Sequence, residues 1–229
     1  MRTIRALGAA LGLAAALGAA ADAPADLTIV ALGDSTTAGT PFFRSPLEAP
    51  PDGEGDAEAP FPRVLETLRP GWRVLNRGVN GERADQIRAR FERDVLPARP
   101  RFVVVLAGVN DAYQGRDLAR TEADLLWMYE RAAKAGVSPV AAAVMPFTLA
   151  SRAQSARIRR LNAWIARTAA ARGWAFCDLH AAVAAKGNSD ALAGSPDGLH
   201  PDRGGYRAAA RALAAVIDAR LARLRASGY

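Results

Sequence analysis

The sequence predicts a single α/β domain in which a parallel sheet of about five strands is covered by helices on both faces, a three-layer α/β/α sandwich. Five short apolar runs, partly β-branched, alternate along the chain with longer segments whose apolar residues recur at helical spacing. This alternation favours parallel strands joined by right-handed crossovers. The runs are apolar at nearly every position, which is typical of strands buried on both faces. A length of 229 residues is sufficient for one such domain with a full core.

The predicted strands are short apolar runs, and the predicted helices have apolar residues three and four positions apart. In chain order the strand runs are LTIVAL (27–32), RVLN (73–76), FVVVLA (102–107), PVAAAVM (139–145) and WAFCDL (174–179). The helices are marked by Ala84, Ile87, Phe91 and Val95, ending at Pro97; by Leu118, Leu125 and Tyr129; by Ile158, Leu161, Ile165 and Ala169; and by Tyr206, Ala210, Leu213, Ile217, Leu221 and Leu224.

Two segments interrupt this alternation. Residues 40–62 combine several prolines with acidic side chains, a composition that predicts a surface loop without a buried element. We interpret this loop as a solvated insertion, with a lid or substrate-contacting loop as the alternative. Its acidic residues lack the spacing of a calcium-binding loop, so we expect no metal there. Residues 186–202 form a Gly/Ser/Pro-rich connection before the last helix and contain one of the two histidines.

The first 21 residues have the pattern of a signal peptide. Arg2 and Arg5 precede a run of Ala, Gly and Leu that ends in a small-residue cleavage pattern, Ala19 to Ala21. A membrane span needs about 20 more strongly apolar residues, so a stable membrane anchor is the weaker interpretation. We therefore expect a secreted or periplasmic protein whose domain comprises residues 22–229. A lone cysteine, Cys177, cannot form an internal disulfide.

The positive charge of the chain does not predict a nucleic-acid partner. The formal net charge is +7, and the arginines are spread over many segments without a cluster or an aromatic-basic motif. The two histidines and one cysteine are also scattered, which does not match the ligand spacing of a zinc site. We expect neither nucleic acid nor a metal to be bound.

Polar residues that follow the predicted strands are the candidates for chemistry, because ligands bind at the carboxyl ends of parallel strands. Ser35 follows the first strand, Gly81 the second and Asn110 the third, while Asp197 and His200 lie before the last helix. A serine nucleophile needs a base within hydrogen-bond reach and a third group that orients that base. His200 is the candidate base, and Asp197, three residues earlier, is the candidate orienting group.

An acyl-transfer reaction through Ser35 would also need donors for an oxyanion. The backbone N–H groups of Ser35 and Gly81 and the side-chain amide of Asn110 all follow strand ends and are candidates for that role. Asp34 is expected to hold the loop through hydrogen bonds to nearby backbone N–H groups. The aromatic residues that follow strand ends or lie in the insertion either line an acyl pocket or pack in the core: Phe42, Phe43, Tyr113 and Phe147.

Four short segments carry a family resemblance. GDS (33–35), NRGVNGE (76–82) with its Gly81, GVND (108–111) and DGLH (197–200) resemble, in order and spacing, the four sequence blocks of the SGNH/GDSL hydrolases. The resemblance covers nearly the whole mature chain. It implies Ser35 as nucleophile, Gly81 and Asn110 as oxyanion donors, and Asp197 with His200 as the acid and base of a triad.

The same resemblance implies a flavodoxin-like sheet and an ester-hydrolysing activity on a small-molecule substrate, without a metal or organic cofactor. The GxSxG motif of the α/β-hydrolases is absent around Ser35, which argues against that fold. Substrate class stays open between simple carboxylic esters, acyl chains of lysophospholipids or thioesters, and acetylated carbohydrates. A glycan- or lipid-binding module that has kept the fold without catalysis is the alternative from a different class.

Overall fold

A parallel sheet of five strands, in the order β4-β1-β5-β6-β7, forms the middle layer of the structure. This computed structural model describes residues 27–226, and the predicted signal peptide lies outside the described residues. The strands are β1 (Leu27–Gly33), β2 (Phe43–Arg44), β3 (Glu54–Gly55), β4 (Trp72–Gly78), β5 (Phe102–Leu106), β6 (Ser138–Ala142), β7 (Ala175–Cys177), β8 (Ala184–Ala185) and β9 (Asn188–Leu192). The pairs β2–β3 and β8–β9 form two separate antiparallel ribbons.

The helices alternate with these strands along the chain. They are α1 (Ser35–Ala38), α2 (Phe61–Leu68), α3 (Ala84–Ala89), α4 (Phe91–Asp94), α5 (Val109–Tyr113), α6 (Leu118–Lys134), α7 (Arg152–Arg172), α8 (Leu179–Val183) and α9 (Arg203–Ala226), with a 3-10 turn at Leu96–Ala98. Within residues 27–226, none of them has the length and apolar character needed to traverse a bilayer.

Side-chain alternation along the strands builds one core on each face of the sheet. On β1, Val30 and Leu32 pack with the core that includes α3, α4, α6 and α7, whereas Ile29 and Ala31 pack with α2, α8 and α9. The central strand β5 is buried along its whole length. The predicted three-layer α/β/α sandwich is therefore confirmed, and its strand order is that of the flavodoxin-like sheets.

The helix predicted from Ala84 to Val95 is interrupted at Arg90, which separates α3 from α4. The guanidinium of Arg90 is buried beneath the ends of two strands, where it donates to the carbonyl oxygens of Gly33 at 2.8 Å and Arg77 at 3.0 Å. Apolar spacing did not reveal this break, because the apolar residues on both sides of it lie in the same core cluster.

The prediction that residues 40–62 have no buried element is wrong. Ser45 is fully buried, and Phe43 and Ala59 are nearly so. The hydroxyl of Ser45 donates to the carbonyl oxygen of Gly78 at 2.5 Å, which fixes the loop on the end of β4. The last residues of this segment begin α2, an amphipathic helix that the prediction missed and that packs on α9.

Candidate active site

Ser35 is the first residue of the short helix α1, and Asp34 alone separates it from the end of β1. The side chain of Asp34 caps this helix by accepting the N–H of Thr36 at 3.0 Å, as expected for a residue that holds the loop. Gly39 ends the helix in the left-handed region, with φ 111°. Ser35 is only 8% exposed, so its hydroxyl faces a confined environment.

The turn that carries Ser35 is packed against β4 with no free space between the two backbones. A Cβ atom built on Gly78 would lie 2.1 Å from the backbone nitrogen of Ala38. The amide of Asn76 donates to the carbonyl oxygen of Ala38 at 3.0 Å and fixes the same contact from the side. The glycine at position 78 is thus required by close approach of the two chain segments.

His200 brings its imidazole to Ser35 across 165 residues of sequence. Its Nε2 lies 2.9 Å from Oγ of Ser35, and its Nδ1 lies 2.7 Å from Oδ2 of Asp197. The other carboxylate oxygen of Asp197 accepts the backbone N–H of His200 at 2.8 Å and that of Leu199 at 2.9 Å. Asp197 therefore holds both the ring and the backbone of His200.

The surroundings of Asp197 keep this carboxyl ionised. Partial burial raises its pKa, but the hydrogen bonds from the His200 ring and from the N–H groups of His200 and Leu199 outweigh that effect and lower the pKa to about 2. At neutral pH the carboxylate can hold the Nδ1 proton of His200, which leaves the lone pair on Nε2 directed at Ser35.

Gly81 and Asn110 reach the same cavity as Ser35 and His200. Gly81 has φ 75°, a conformation that favours glycine, and no described residue among 27–226 accepts its N–H. One amide hydrogen of Asn110 is donated to the carbonyl oxygen of Glu82 at 2.9 Å. The amide nitrogen of Asn110 carries a second hydrogen, and this bond fixes its direction.

Asp111 is a residue that the sequence analysis did not single out, although it belongs to the GVND segment. It is completely buried and accepts the N–H of Ala84 at 2.9 Å, the guanidinium of Arg116 at 2.9 Å and the hydroxyl of Thr121 at 3.0 Å. These bonds join the start of α3 to α5, and so they set the distance between the Gly81 turn and Asn110.

The carboxyl of Asp34 is buried beneath Ser35. Burial raises its pKa to about 6, and the hydrogen bonds from Thr36 only partly oppose that effect. Its Oδ2 atom has no hydrogen-bond partner within residues 27–226. An ionised carboxylate at this position therefore lowers the stability of the folded state at neutral pH.

The cavity that these residues share has a volume of about 380 Å³. Its apolar lining is contributed by Val109, Tyr113, Phe147 and Leu199, and the rings of Tyr113 and Phe147 meet edge to face with centroids 6.0 Å apart. Of the four aromatic candidates, these two line the cavity. Phe43 is buried in the 40–62 loop, and the ring of Phe42 lies 4.2 Å from the guanidinium of Arg203.

The second histidine and the lone cysteine lie in structural surroundings. His180, the histidine that follows β7, contacts the carbonyl oxygen of Val144 through Nδ1 at 2.9 Å. Cys177 is a core residue, and burial raises the pKa of its thiol to about 12. Between residues 27 and 226, no three His, Cys, Asp or Glu side chains are grouped as metal ligands would be.

Comparison with known sequences gives the following relatives. A sequence model of the GDSL-like Lipase/Acylhydrolase family matches residues 31–208. An uncharacterized lipoprotein, YqeF of Bacillus subtilis (strain 168), is 28% identical over 126 residues, which are 52% of this chain and 48% of that protein. An acetylxylan esterase of Geobacillus stearothermophilus is 35% identical over 57 residues, 24% of this chain and 26% of the esterase. The chain thus matches about half, or less, of the length of these relatives.

Solved structures share the fold over most of the chain. A G-D-S-L family protein of Desulfitobacterium hafniense DCB-2 superposes with a TM-score of 0.70 at 25% identity, covering 82% of this chain and 98% of that one. An acetylxylan esterase of Geobacillus stearothermophilus, Axe2, superposes with a TM-score of 0.67 at 22% identity, covering 84% and 94%. The second likeness, at this identity, concerns the fold alone.

Proposed function

The chain belongs to the GDSL-like lipase/acylhydrolase family and is an ester hydrolase, and on this premise we propose that it cleaves carboxylic esters through an acyl-enzyme formed on Ser35. The observation that carries the proposal is the hydrogen-bonded series Ser35 Oγ, His200 Nε2, His200 Nδ1 and Asp197 Oδ2, with separations of 2.9 and 2.7 Å. A base that is itself oriented by a carboxylate is what a serine needs to become a nucleophile.

In the first half of the reaction, Nε2 of His200 takes the proton of the Ser35 hydroxyl while Oγ attacks the ester carbonyl carbon. The resulting oxyanion accepts hydrogen bonds from the N–H groups of Ser35 and Gly81 and from Nδ2 of Asn110. Collapse of the tetrahedral intermediate expels the alcohol, which receives the proton from His200. Asp197 stays ionised throughout and stabilises the imidazolium.

In the second half, a water molecule attacks the acyl-enzyme and gives its proton to Nε2 of His200. The second tetrahedral intermediate is stabilised by the same donors, and its collapse releases the carboxylic acid and restores the Ser35 hydroxyl. No step requires a metal ion or an organic cofactor, because the charges that develop are on the oxyanion and the imidazolium, and protein groups face both.

The apolar lining of the cavity supports an acyl group of moderate size as the part of the substrate that binds there. A second candidate substrate class is an acetylated carbohydrate, which the local similarity to an acetylxylan esterase favours. We further propose that the protein acts outside the cytoplasm, on the basis of the signal-peptide pattern in residues 1–21 and of the lipoprotein relative.

Substitution of the serine tests the mechanism. We expect Ser35→Ala to lower the turnover of p-nitrophenyl esters by at least about a thousandfold while circular dichroism and thermal unfolding stay unchanged. Ser138→Ala, at the far end of β6, is the matched control and should keep the wild-type rate. A folded Ser35→Ala variant with near-normal turnover would refute the acyl-enzyme on this residue.

A panel of substrates then separates the two substrate classes. Esters of increasing acyl length are compared with acetylated xylo-oligosaccharides, with Ser35→Ala as the blank for each. A kcat/KM that rises with acyl length supports an acyl-chain substrate. A kcat/KM that is highest for acetate release from the oligosaccharide supports the carbohydrate class.

A further inference from the structure

The turn from Val79 to Glu82 carries Gly81, and its two sides are held by different parts of the molecule. On the Glu82 side the contacts come from the core: Asn110 donates to the carbonyl oxygen of Glu82 at 2.9 Å, and buried Arg90 binds the Glu82 carboxylate at 2.6 Å. On the other side, Val79 donates its N–H to the carbonyl oxygen of Gly33 at 3.1 Å, and the contacts of Asn80 itself come from the 40–62 loop. The position of the Gly81 N–H depends on both.

Two side chains of the loop region hold Asn80. Oε1 of Glu48 accepts the backbone N–H of Asn80 at 3.0 Å, and the hydroxyl of Thr40 donates to the side-chain oxygen of Asn80 at 2.5 Å. Asn80 and Gly81 are themselves exposed, and a Cβ on Gly81 would meet nothing within 4 Å. Core packing therefore does not fix Asn80 and Gly81 beyond the bond of Val79 to β1, and the two loop contacts hold Asn80.

Glu48 is itself well fixed. Its N–H donates to the carbonyl oxygen of Ser45 at 2.9 Å, and Ser45 is anchored through its hydroxyl to the carbonyl oxygen of Gly78, two residues before Asn80. Oε2 of Glu48 is buried without a hydrogen-bond partner within the described residues. A carboxylate that only solvated a surface loop would keep both oxygens in water, so its present position calls for another explanation.

We propose that Glu48 is a positioning residue for ester hydrolysis: by accepting the N–H of the Val79–Asn80 peptide it fixes the backbone at Asn80, and this directs the next peptide so that the N–H of Gly81 points at the oxyanion. This inference rests on the proposed function. It gives the 40–62 loop a role in the transition state, in addition to any contact with substrate. Removing an oxyanion donor outright costs about 10²- to 10³-fold in kcat, and a donor that is misdirected loses part of that effect.

Kinetics of three variants test the proposal. We expect Glu48→Ala to lower kcat roughly tenfold with KM within about twofold of wild type, because the oxyanion exists only in the transition state. Glu48→Gln keeps an acceptor oxygen and should retain at least half of kcat. Glu58→Ala is the control: Glu58 is exposed on the same loop and pairs with Arg63, and its loss should leave both constants unchanged.

A second readout does not depend on turnover. The rate at which an alkyl p-nitrophenyl phosphonate labels Ser35 should fall in Glu48→Ala in proportion to kcat, because the phosphonyl oxygen occupies the oxyanion position. Thermal unfolding of each variant is measured alongside. If Glu48→Ala does not fold, Glu48→Asp, whose side chain is one methylene shorter and lengthens the contact with Asn80, carries the same expectation.

The outcomes separate the two proposals. Wild-type kcat and labelling in Glu48→Ala would overturn the positioning role while leaving the Ser35 mechanism intact, and so would a raised KM at constant kcat, which indicates a substrate contact. Equal losses in Glu48→Ala and Glu48→Gln would also overturn it. A wild-type protein that neither hydrolyses esters nor reacts with the phosphonate would refute the proposed function, and this inference with it.

Discussion

The Ser35 turn and the Asp197–His200 loop meet at one hydrogen bond but are built in opposite ways. Ser35 and its neighbours Asp34, Thr36 and Thr37 are all buried, and their turn lies directly on β4. Asp197 and Leu199 are exposed, and the loop that contains them is held mainly by hydrogen bonds to its own backbone, with a bond from Leu149 to Gly198.

This difference separates two ways of losing activity. A change under the Ser35 turn acts on a buried site, so it should alter the stability of the whole domain. A change in the Asp197–His200 loop removes a chemical group from a surface segment, so it should reduce the rate and leave the fold in place. Three substitutions test this contrast.

The largest expected effect is on the rate, at His200. We expect His200→Ala to lower kcat by about 10³- to 10⁴-fold, because the general base and the later general acid are both lost. Its free energy of unfolding should change by no more than about 1 kcal/mol, measured by urea denaturation. The other histidine supplies the control: His180→Ala should keep kcat within about twofold. A loss in His200→Ala of less than about tenfold would contradict the assignment of the base.

The next effect is on stability, at Gly78. A methyl group there would overlap the backbone of Ala38. Because the overlap is with backbone atoms, no side-chain rotation can relieve it, and we expect Gly78→Ala to lower the free energy of unfolding by at least about 3 kcal/mol. Gly173→Ala is the control, because Gly173 has φ 64° and open space around its Cβ position and should cost only about 1 kcal/mol. Equal losses in the two variants would show that the Ser35 turn is not tightly packed on β4.

The smallest effect concerns the charge of Asp34. Burial raises its folded pKa from 3.8 to about 6, so the folded state disfavours the carboxylate. The resulting loss of stability is complete above pH 6 and absent below about pH 4. We expect Asp34→Asn to be more stable than wild type by roughly 1 to 3 kcal/mol at pH 7. Urea denaturation between pH 4 and pH 8 measures how this advantage disappears toward acid pH.

Asp56 is the control, because its pKa shift has the opposite sign to that of Asp34. The hydrogen bond from Arg203 lowers the pKa of the Asp56 carboxyl, so its contribution favours the fold above the reference pKa and is lost as the pH falls. Asp56→Asn should therefore be slightly less stable than wild type at neutral pH, with the difference closing in acid. An advantage for Asp34→Asn that did not change with pH would rule out ionisation of Asp34 as its cause.

The strands were predictable because a strand that is buried on both faces is a continuous run of apolar residues in the sequence. All five sheet strands lie where the apolar runs place them, with differences only at their ends. The run 174–179 shortens to Ala175–Cys177 because Asp178 caps α8 and starts the helix there. Helical spacing likewise located α6, α7 and α9, whose apolar faces cover the sheet.

Two of the missed features depend on contacts between distant segments. Helical spacing continues across Arg90, although the helix is interrupted there and the Arg90 side chain reaches the ends of β1 and β4. The composition of residues 40–62 indicates a loop, but the anchoring of Ser45 on Gly78 is a contact over 33 residues of sequence. Composition indicates whether a segment is polar, but it does not indicate which distant backbone group a polar side chain will bind.

The sequence by itself determined the alternating elements, the sheet class and the four motif segments, because periodicity and turn chemistry are properties of neighbouring residues. Only the tertiary structure decided that Ser35, Gly81, Asn110 and His200 share one cavity, and that Glu48 binds the turn beside Gly81. Those relations arise when the strand ends and the loops that follow them pack at one edge of the sheet, and no local pattern encodes distances across that edge.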